Sequence, residues 1–372
     1  MSLQKRHKLG IIGAVAVVVA AGVIVGANYG KTQTAIDPSS FGTSTPAGES
    51  VSTPSPSPTG TAAAAAESGA PAPELVVLRT STKKNCTSTP YVVAERKGFF
   101  EAEGLKIEYT GELASNLTLP AVLNGTNDFE GALPNSLATY ISEGADIKAV
   151  TMSVVDPPSE VDPKFRHMRF YVSPDIGVKT LEELKTYKEG KNLTISGRVP
   201  TCSSFIPNAI FDNHGLDRER LEYIAFDSDT AAIQAVQQGN LDIAGVHPPF
   251  YHLAEESGLV LLADSYDSGL GPAAGVSVYY FTEDFIDSNP DAVQRFVNAV
   301  KKAQEWANGH EEEAIELTAE YIGKEVTAVH YYYTSPGFPK EYIQPWIDDL
   351  VVEGTLKKDQ LTVEDLITTK FQ

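Results

Sequence analysis

From residue 74 onward, short apolar runs alternate with amphipathic segments, a pattern that predicts strands and helices in turn. Leu75-Val76-Val77-Leu78 reads as a buried strand. The hydroxyl-rich stretch Ser81 to Thr89 reads as a loop, and Pro90 stands where a helix starts, because proline's missing N–H is not needed in the first turn. Tyr91, Val92 and Ala94 open the apolar face of that helix, and Gly98 can close it. Leu105, Ile107 and Tyr109 then alternate with polar residues as a second strand does. Strand, polar loop, helix, strand is the βαβ unit, so the expected class is α/β. Ligands in open α/β sheets sit beyond the carboxyl ends of strands. The loop Asn85-Cys86-Thr87 is therefore either a ligand loop or an ordinary surface turn.

The alternation continues. Leu117 to Leu123 predicts a helix, followed by a short strand at Phe129 and a loop, Leu133-Pro134-Asn135-Ser136, before the next helix. Ile147 to Val155 predicts a strand, and Met168 to Val172 another that leads into a second lobe. Thr180 with Glu183 three residues on has the spelling of a capping box. Leu193-Thr194-Ile195 is a strand. Gly197 to Ser204 is a loop opening on a helix with Phe205, Ile206, Ala209 and Ile210, where Ser203 or Ser204 is the expected cap. Val276 to Phe281 predicts the strand that returns the chain to the first lobe. Helices follow at Pro290 to Asn308, Glu313 to Tyr321, Glu341 to Leu350 and Val363 to Ile367. One stretch is echoed: Ala121 to Phe129, with Gly125 and Asp128, recurs as Ala235 to Ala244, with Gly239 and Asp242, and then Val246-His247-Pro248-Pro249. The echo predicts two lobes of similar build, each aiming a loop at a shared cleft.

Before residue 74 the pattern changes. Lys5, Arg6, His7 and Lys8 precede an uncharged run from Leu9 to Ala27, long enough to cross a hydrocarbon core of about 30 Å. Residues 1–30 are expected to be a signal peptide or a membrane anchor. No cysteine follows the run, which closes the lipoprotein route. Residues 31–73, rich in Ser, Thr, Pro and Ala, are expected to form a disordered linker, since they hold too little apolar surface to offset ordering entropy. A net charge of −20 argues against nucleic acid as a partner. Two cysteines, Cys86 and Cys202, exclude a disulfide framework and a four-cysteine zinc site, and no paired Cys-x-x-Cys or His-x-Glu-x-x-His spacing occurs. No cofactor and no metal is expected.

Pro90-Tyr91-Val92-Val93-Ala94, then Lys97-Gly98-Phe99-Phe100 and Glu103-Gly104-Leu105, resembles the opening of ABC-importer solute-binding proteins of the nitrate, sulfonate, taurine and thiamine-precursor type. The resemblance runs in order from Glu74 to Gln372. It implies a two-lobe periplasmic-binding-protein-like (type II) fold with a hinge of two crossover strands. Lobe one would hold 74–172 and 275–372, and lobe two 173–274. It implies an extracytoplasmic protein, anchored or secreted, that captures a small polar or anionic molecule and passes it to an importer permease, and that works as a monomer without catalysis. Four loops would line the cleft: Asn85, Cys86 and Thr87; Leu133, Pro134, Asn135 and Ser136; Cys202, Ser203 and Ser204, with Phe205 as an apolar wall; and His247 with Pro248. The histidine departs from the acidic or aromatic residue common before that proline. Arg198 and Lys83 would neutralise an anion or face water. Cys86 and Cys202 would face each other across the cleft, as free thiols or as a bond. Thiamine-pyrimidine synthases share the fold, but their cysteine-rich iron motif is missing here. A receptor lobe is the remaining alternative.

Overall fold

Two aspartates show how local sequence builds the sheets. The computed structural model describes residues 75–372, within the unit Ser68–Gln372. The expectations for residues 1–73 lie outside the described residues. Strand β1 (Val76–Thr80) pairs in parallel with β2 (Leu105–Tyr109). After the Ser115–Leu123 helix, Gly125 takes φ +73°, a left-handed turn that favours glycine, and the chain enters β3 (Phe129–Ala132). There Asp128 donates its N–H to Arg79 O at 2.8 Å and accepts the Arg79 N–H on its carboxylate at 2.7 Å. The later copy does the same. Gly239 has φ +72°, and Asp242 donates to Thr194 O at 3.1 Å and accepts the Thr194 N–H at 3.0 Å. Each aspartate thus ties the end of one βα unit to the neighbouring strand, and Arg79 and Lys188 supply the countercharges.

The remaining strands sort into separate sheets. Strands β4 (Ile147–Met152) and β5 (Val154–Val155) replace the single strand expected over 147–155, with Ser153 between them. The second lobe holds β6 (Arg169–Val172), β7 (Leu193–Ser196), β8 (Leu221–Ile224), β9 (Ile243–Val246) and β10 (Val260–Asp264), in the order β10-β6-β9-β7-β8. Returning to the first lobe, β11 (Val278–Thr282) lies antiparallel between β3 and β4, and β12 (Tyr331–Tyr332) pairs with β5. The fold is the α/β two-lobe periplasmic-binding-protein type. Among the described residues no helix is long and apolar enough to cross a membrane.

The two connections between lobes run beside each other. Ser277 N–H donates to Val154 O at 3.1 Å, Asp156 N–H to Pro272 O at 3.1 Å, and Ser265 N–H to Met168 O at 2.9 Å. The lobes also share a core. One continuous cluster takes in Leu137 and Ile147 of the first lobe, Phe170, Ile195 and Phe205 of the second, and Trp346 of the Lys340–Val352 helix. That helix makes a polar tie to the second lobe as well. Arg218 donates to Asp212 at 2.9 Å and Asp349 at 2.7 Å, and to Glu353, which also accepts from Asn208. Replacing Arg218 with alanine leaves three neighbouring carboxylates without their cation. The expected loss is about 1.5–3 kcal/mol in urea unfolding, the range for hydrogen bonds to charged groups. An unchanged midpoint would show that this tie carries no stability.

Candidate functional site

The paired connections between lobes create the polar interior. Asp156 is fully buried and gathers three donors: the Ser265 hydroxyl, the His167 N–H at 2.8 Å and Arg166 Nη1 at 3.3 Å. Burial raises its carboxyl to about 6, against the pull of these partners. Only glycine fits at 275. A Cβ there would stand 2.7 Å from Asp156 N and 2.9 Å from His167 Cβ. The close approach of three chain segments therefore sets the His167 backbone just before β6.

The other side chains come from the second lobe. Thr201 caps the Cys202–Asn213 helix and Ser204 returns its hydroxyl to the Thr201 N–H, a full capping box. The cap expected at Ser203 or Ser204 is thus corrected to Thr201, because the helix starts at Cys202, earlier than those caps imply. Gly197 lets the loop close on this helix, since a Cβ there would meet Ser203 O at 2.6 Å. Cys202 is the first helical residue, a buried free thiol. From the end of β9, His247 projects beside it, with Nε2 3.7 Å from the Cys202 sulfur.

Asp229, the first residue of the Asp229–Gln237 helix, accepts both the His247 backbone N–H at 2.8 Å and the ring Nδ1–H at 3.0 Å. That bond orients the ring so that Nε2 faces the sulfur. Burial opposes charge on His247, but Asp229, and then Cys202, hold its pKa well above the ordinary value. Burial likewise opposes ionisation of Asp229, and His247 overcomes it and lowers the pKa.

Two further imidazoles complete the cluster. His167 lies 6.0 Å from His247, ring centre to ring centre and nearly perpendicular. His330, from the segment leading into β12, stacks on His167 at 4.6 Å with 15° between planes. Both are 1 % exposed, and among the described residues none of their four ring nitrogens has a hydrogen-bond partner. Burial, then the field of His247, brings His167 down to about 3. Burial and both other histidines take His330 well below its ordinary value. Both rings are therefore neutral lone-pair donors at physiological pH. Thiol, imidazole and carboxylate in line form a nucleophile–base–orienter arrangement. The same atoms with His167 form a nitrogen–sulfur donor set, because the ligand atoms of His167, Cys202 and His247 all lie within 4.8 Å of one another.

The structure brings together only some of the residues expected at the cleft. Cys202 and His247 meet in this cluster. Ser136 donates to Pro200 O at 3.3 Å, so the Leu133–Ser136 turn of the first lobe touches the 197–204 loop of the second. Leu133 packs on the shared core, Pro134 starts a helix, and buried Asn135 accepts the Ser136 N–H. Pro248 is buried at the start of a short 3-10 turn. Ser203 accepts the Arg198 N–H, and Ser204 serves the cap. Phe205 stacks on Trp346 at 4.0 Å in the core.

Asn85 is exposed and accepts from Thr87 in its own turn, and Thr87 O accepts from Tyr279. Cys86 opens a 3-10 turn, and the structure describes nothing of its side chain. Lys83 does not face water: its ammonium pairs with buried Glu130 at 2.8 Å. Arg198 is exposed and binds Phe226 O. Neither cation is placed in the cluster. His167, His330 and Asp229 were not foreseen. Each comes from a different segment, and none carries a spacing motif.

Comparisons with known proteins agree with this architecture. The family model described as NMT1/THI5 like matches residues 85–314. YtlA of Bacillus subtilis, provisionally named a binding protein, is 22% identical over 223 residues, 59% of this chain and 63% of its own. The chain thus spans less than two thirds of the length of the curated relatives it matches. The periplasmic aliphatic sulphonate binding protein SsuA from Escherichia coli superposes with a TM-score of 0.60 at 20% identity, covering 78% of this chain and 92% of that one. The periplasmic nitrate-binding protein NrtA from Synechocystis does so at 0.60 and 15%, covering 78% and 84%.

Proposed function

Because the chain belongs to the NMT1/THI5-like family, we propose that it is an extracytoplasmic solute-binding protein that captures a small polar solute between its lobes and delivers it to an ABC-importer permease. The observation that carries this reading is the set of buried, unpartnered imidazoles where the lobes meet. A buried polar group without a partner costs about 1–3 kcal/mol, and a solute entering the gap supplies the missing bonds. The two hydrogen-bonded connections are the hinge about which the lobes part, and the Ser136 to Pro200 contact is made on closing. The lobes are residues 75–168 with 275–372, and 169–274, a boundary slightly earlier than expected because β6 pairs within the second sheet. Residues 1–30 hold the protein at the membrane or direct its export, and 31–73 are the tether. Lys83 is already neutralised by Glu130, and Arg166 by Asp156, so an anion here would rely on neutral donors.

A bound solute raises thermal stability by RT ln(1 + [L]/Kd), about 2.7 kcal/mol at a hundredfold excess over Kd. Thermal shift against sulfonates, nitrate, pyrimidines, aromatic acids, peptides and metal salts is expected to give one responsive class. Flat curves across that panel would remove the binding reading.

A further inference from the structure

We propose that the interlobe cluster is a transition-metal site in which His167, Cys202 and His247 hold a zinc-class divalent ion. The proposal deepens the solute-binding reading, since the ion, bare or carried in a chelate, is then the solute or part of it.

The donor set is the first argument. Two imidazoles and one thiolate suit zinc and its neighbours and do not suit calcium or magnesium, which take oxygen. Geometry is the second. Tetrahedral sites with metal–ligand bonds of about 2.0–2.3 Å place ligand atoms about 3.3–3.7 Å apart. Cys202 Sγ and His247 Nε2 are already 3.7 Å apart, and the widest separation in the set is within 4.8 Å. The third argument is the surroundings. A metal-ligating histidine characteristically donates its other N–H to a carboxylate, as His247 does to Asp229 at 3.0 Å. The fourth is the absence of competing bonds: among the described residues both nitrogens of His167 are buried without partners.

A Cys–His–Asp nucleophile would use the same line of atoms, but it leaves His167 and His330 unexplained. A metal uses the first, and the second stacks on its ring at 4.6 Å. His330 belongs to the segment that leads into β12, which pairs with β5, so a side chain from outside the donor set packs against the site. On binding, the Cys202 thiol proton and the proton on His247 Nε2 leave to solvent, and the thiolate and the freed imidazole nitrogen bond the ion.

The test uses the full chain, zinc and cobalt(II). One equivalent of either is expected to bind, to raise the melting temperature and, for cobalt, to give a thiolate-to-metal charge-transfer band. Cys202→Ser is expected to abolish the band. Asp229→Asn is expected to weaken zinc binding about 10–100-fold, and His167→Gln at least as much. His252→Gln, at a half-buried histidine bonded to Thr327 outside the cluster, is expected to leave binding unchanged. Zinc is also expected to protect the Cys202 thiol from alkylation, a readout on the unaltered protein that stands even if a variant fails to fold.

A cobalt spectrum without the thiolate band, or alkylation of Cys202 undiminished by zinc, would overturn the proposal. If an organic or anionic solute still shifted the melt in that case, the solute-binding reading would survive. If neither metal nor any other solute acted, both would fall.

Discussion

Replacing Trp346 with alanine is expected to lower the unfolding free energy by about 3–5 kcal/mol, the range for truncating a buried tryptophan. Its side chain is completely buried, and its ring stacks on Phe205 at 4.0 Å. The indole N–H donates to Ala273 O at 2.8 Å. Three elements therefore lose contact at once: the Lys340–Val352 helix, the Cys202–Asn213 helix and the returning connection at Gly271–Gly275. Phenylalanine at 346 would keep a stacked ring but leave Ala273 O unpaired, and is expected to cost about 1–3 kcal/mol. Urea unfolding followed by circular dichroism measures both. A loss under about 1 kcal/mol for the alanine variant would mean that this packing forms only a minor part of the core.

The second large effect is at Asp156. Alanine there strips the buried Arg166 of its counterion and leaves the Ser265 hydroxyl and His167 N–H without their acceptor. Removing one partner of a buried pair typically costs about 3–5 kcal/mol. The same carboxyl sets a pH dependence. Its folded pKa of about 6 lies above that of the unfolded chain, about 3.9. Between those values the folded protein binds the proton that the unfolded chain has released. The carboxyl's contribution to stability is therefore greatest near pH 4, falls as pH rises through 6, and is level above. Asparagine at 156 cannot ionise, so the stability gap between it and the natural protein is expected to narrow from pH 4 to 7. Urea midpoints at several pH values give the comparison, and a gap that widens with pH would contradict the sign.

Much of the fold was legible because its signals are local. Thr180 with Glu183 forms the full capping box that its spelling announced. Pro90 lies in the first turn of the Thr89–Arg96 helix. The Gly–Asp echo is a true structural repeat, with matched turns and matched aspartate bonds. The family resemblance carried by Pro90 to Leu105 agrees with the family match. The site was legible only in part. Cys202 and His247 drew notice as unusual residues on loops, yet nothing in the chain said that they touch. His330 precedes three tyrosines and carries no spacing motif that marks it. Lys83 looked free because its partner, Glu130, lies in another strand.

By itself, then, the sequence determined the class of fold, the two-part build and many of the strands and helices, though not β8, β10 or β12. Periodicity, caps and turn glycines act over a few residues and need no distant partner. Tertiary structure alone decided which polar side chains meet. The two connections between lobes lie side by side, Gly275 lets them close, and His167 is thereby placed against His330 and within reach of Cys202 and His247. That meeting depends on the pairing of segments far apart in the chain, and so no local pattern encodes it.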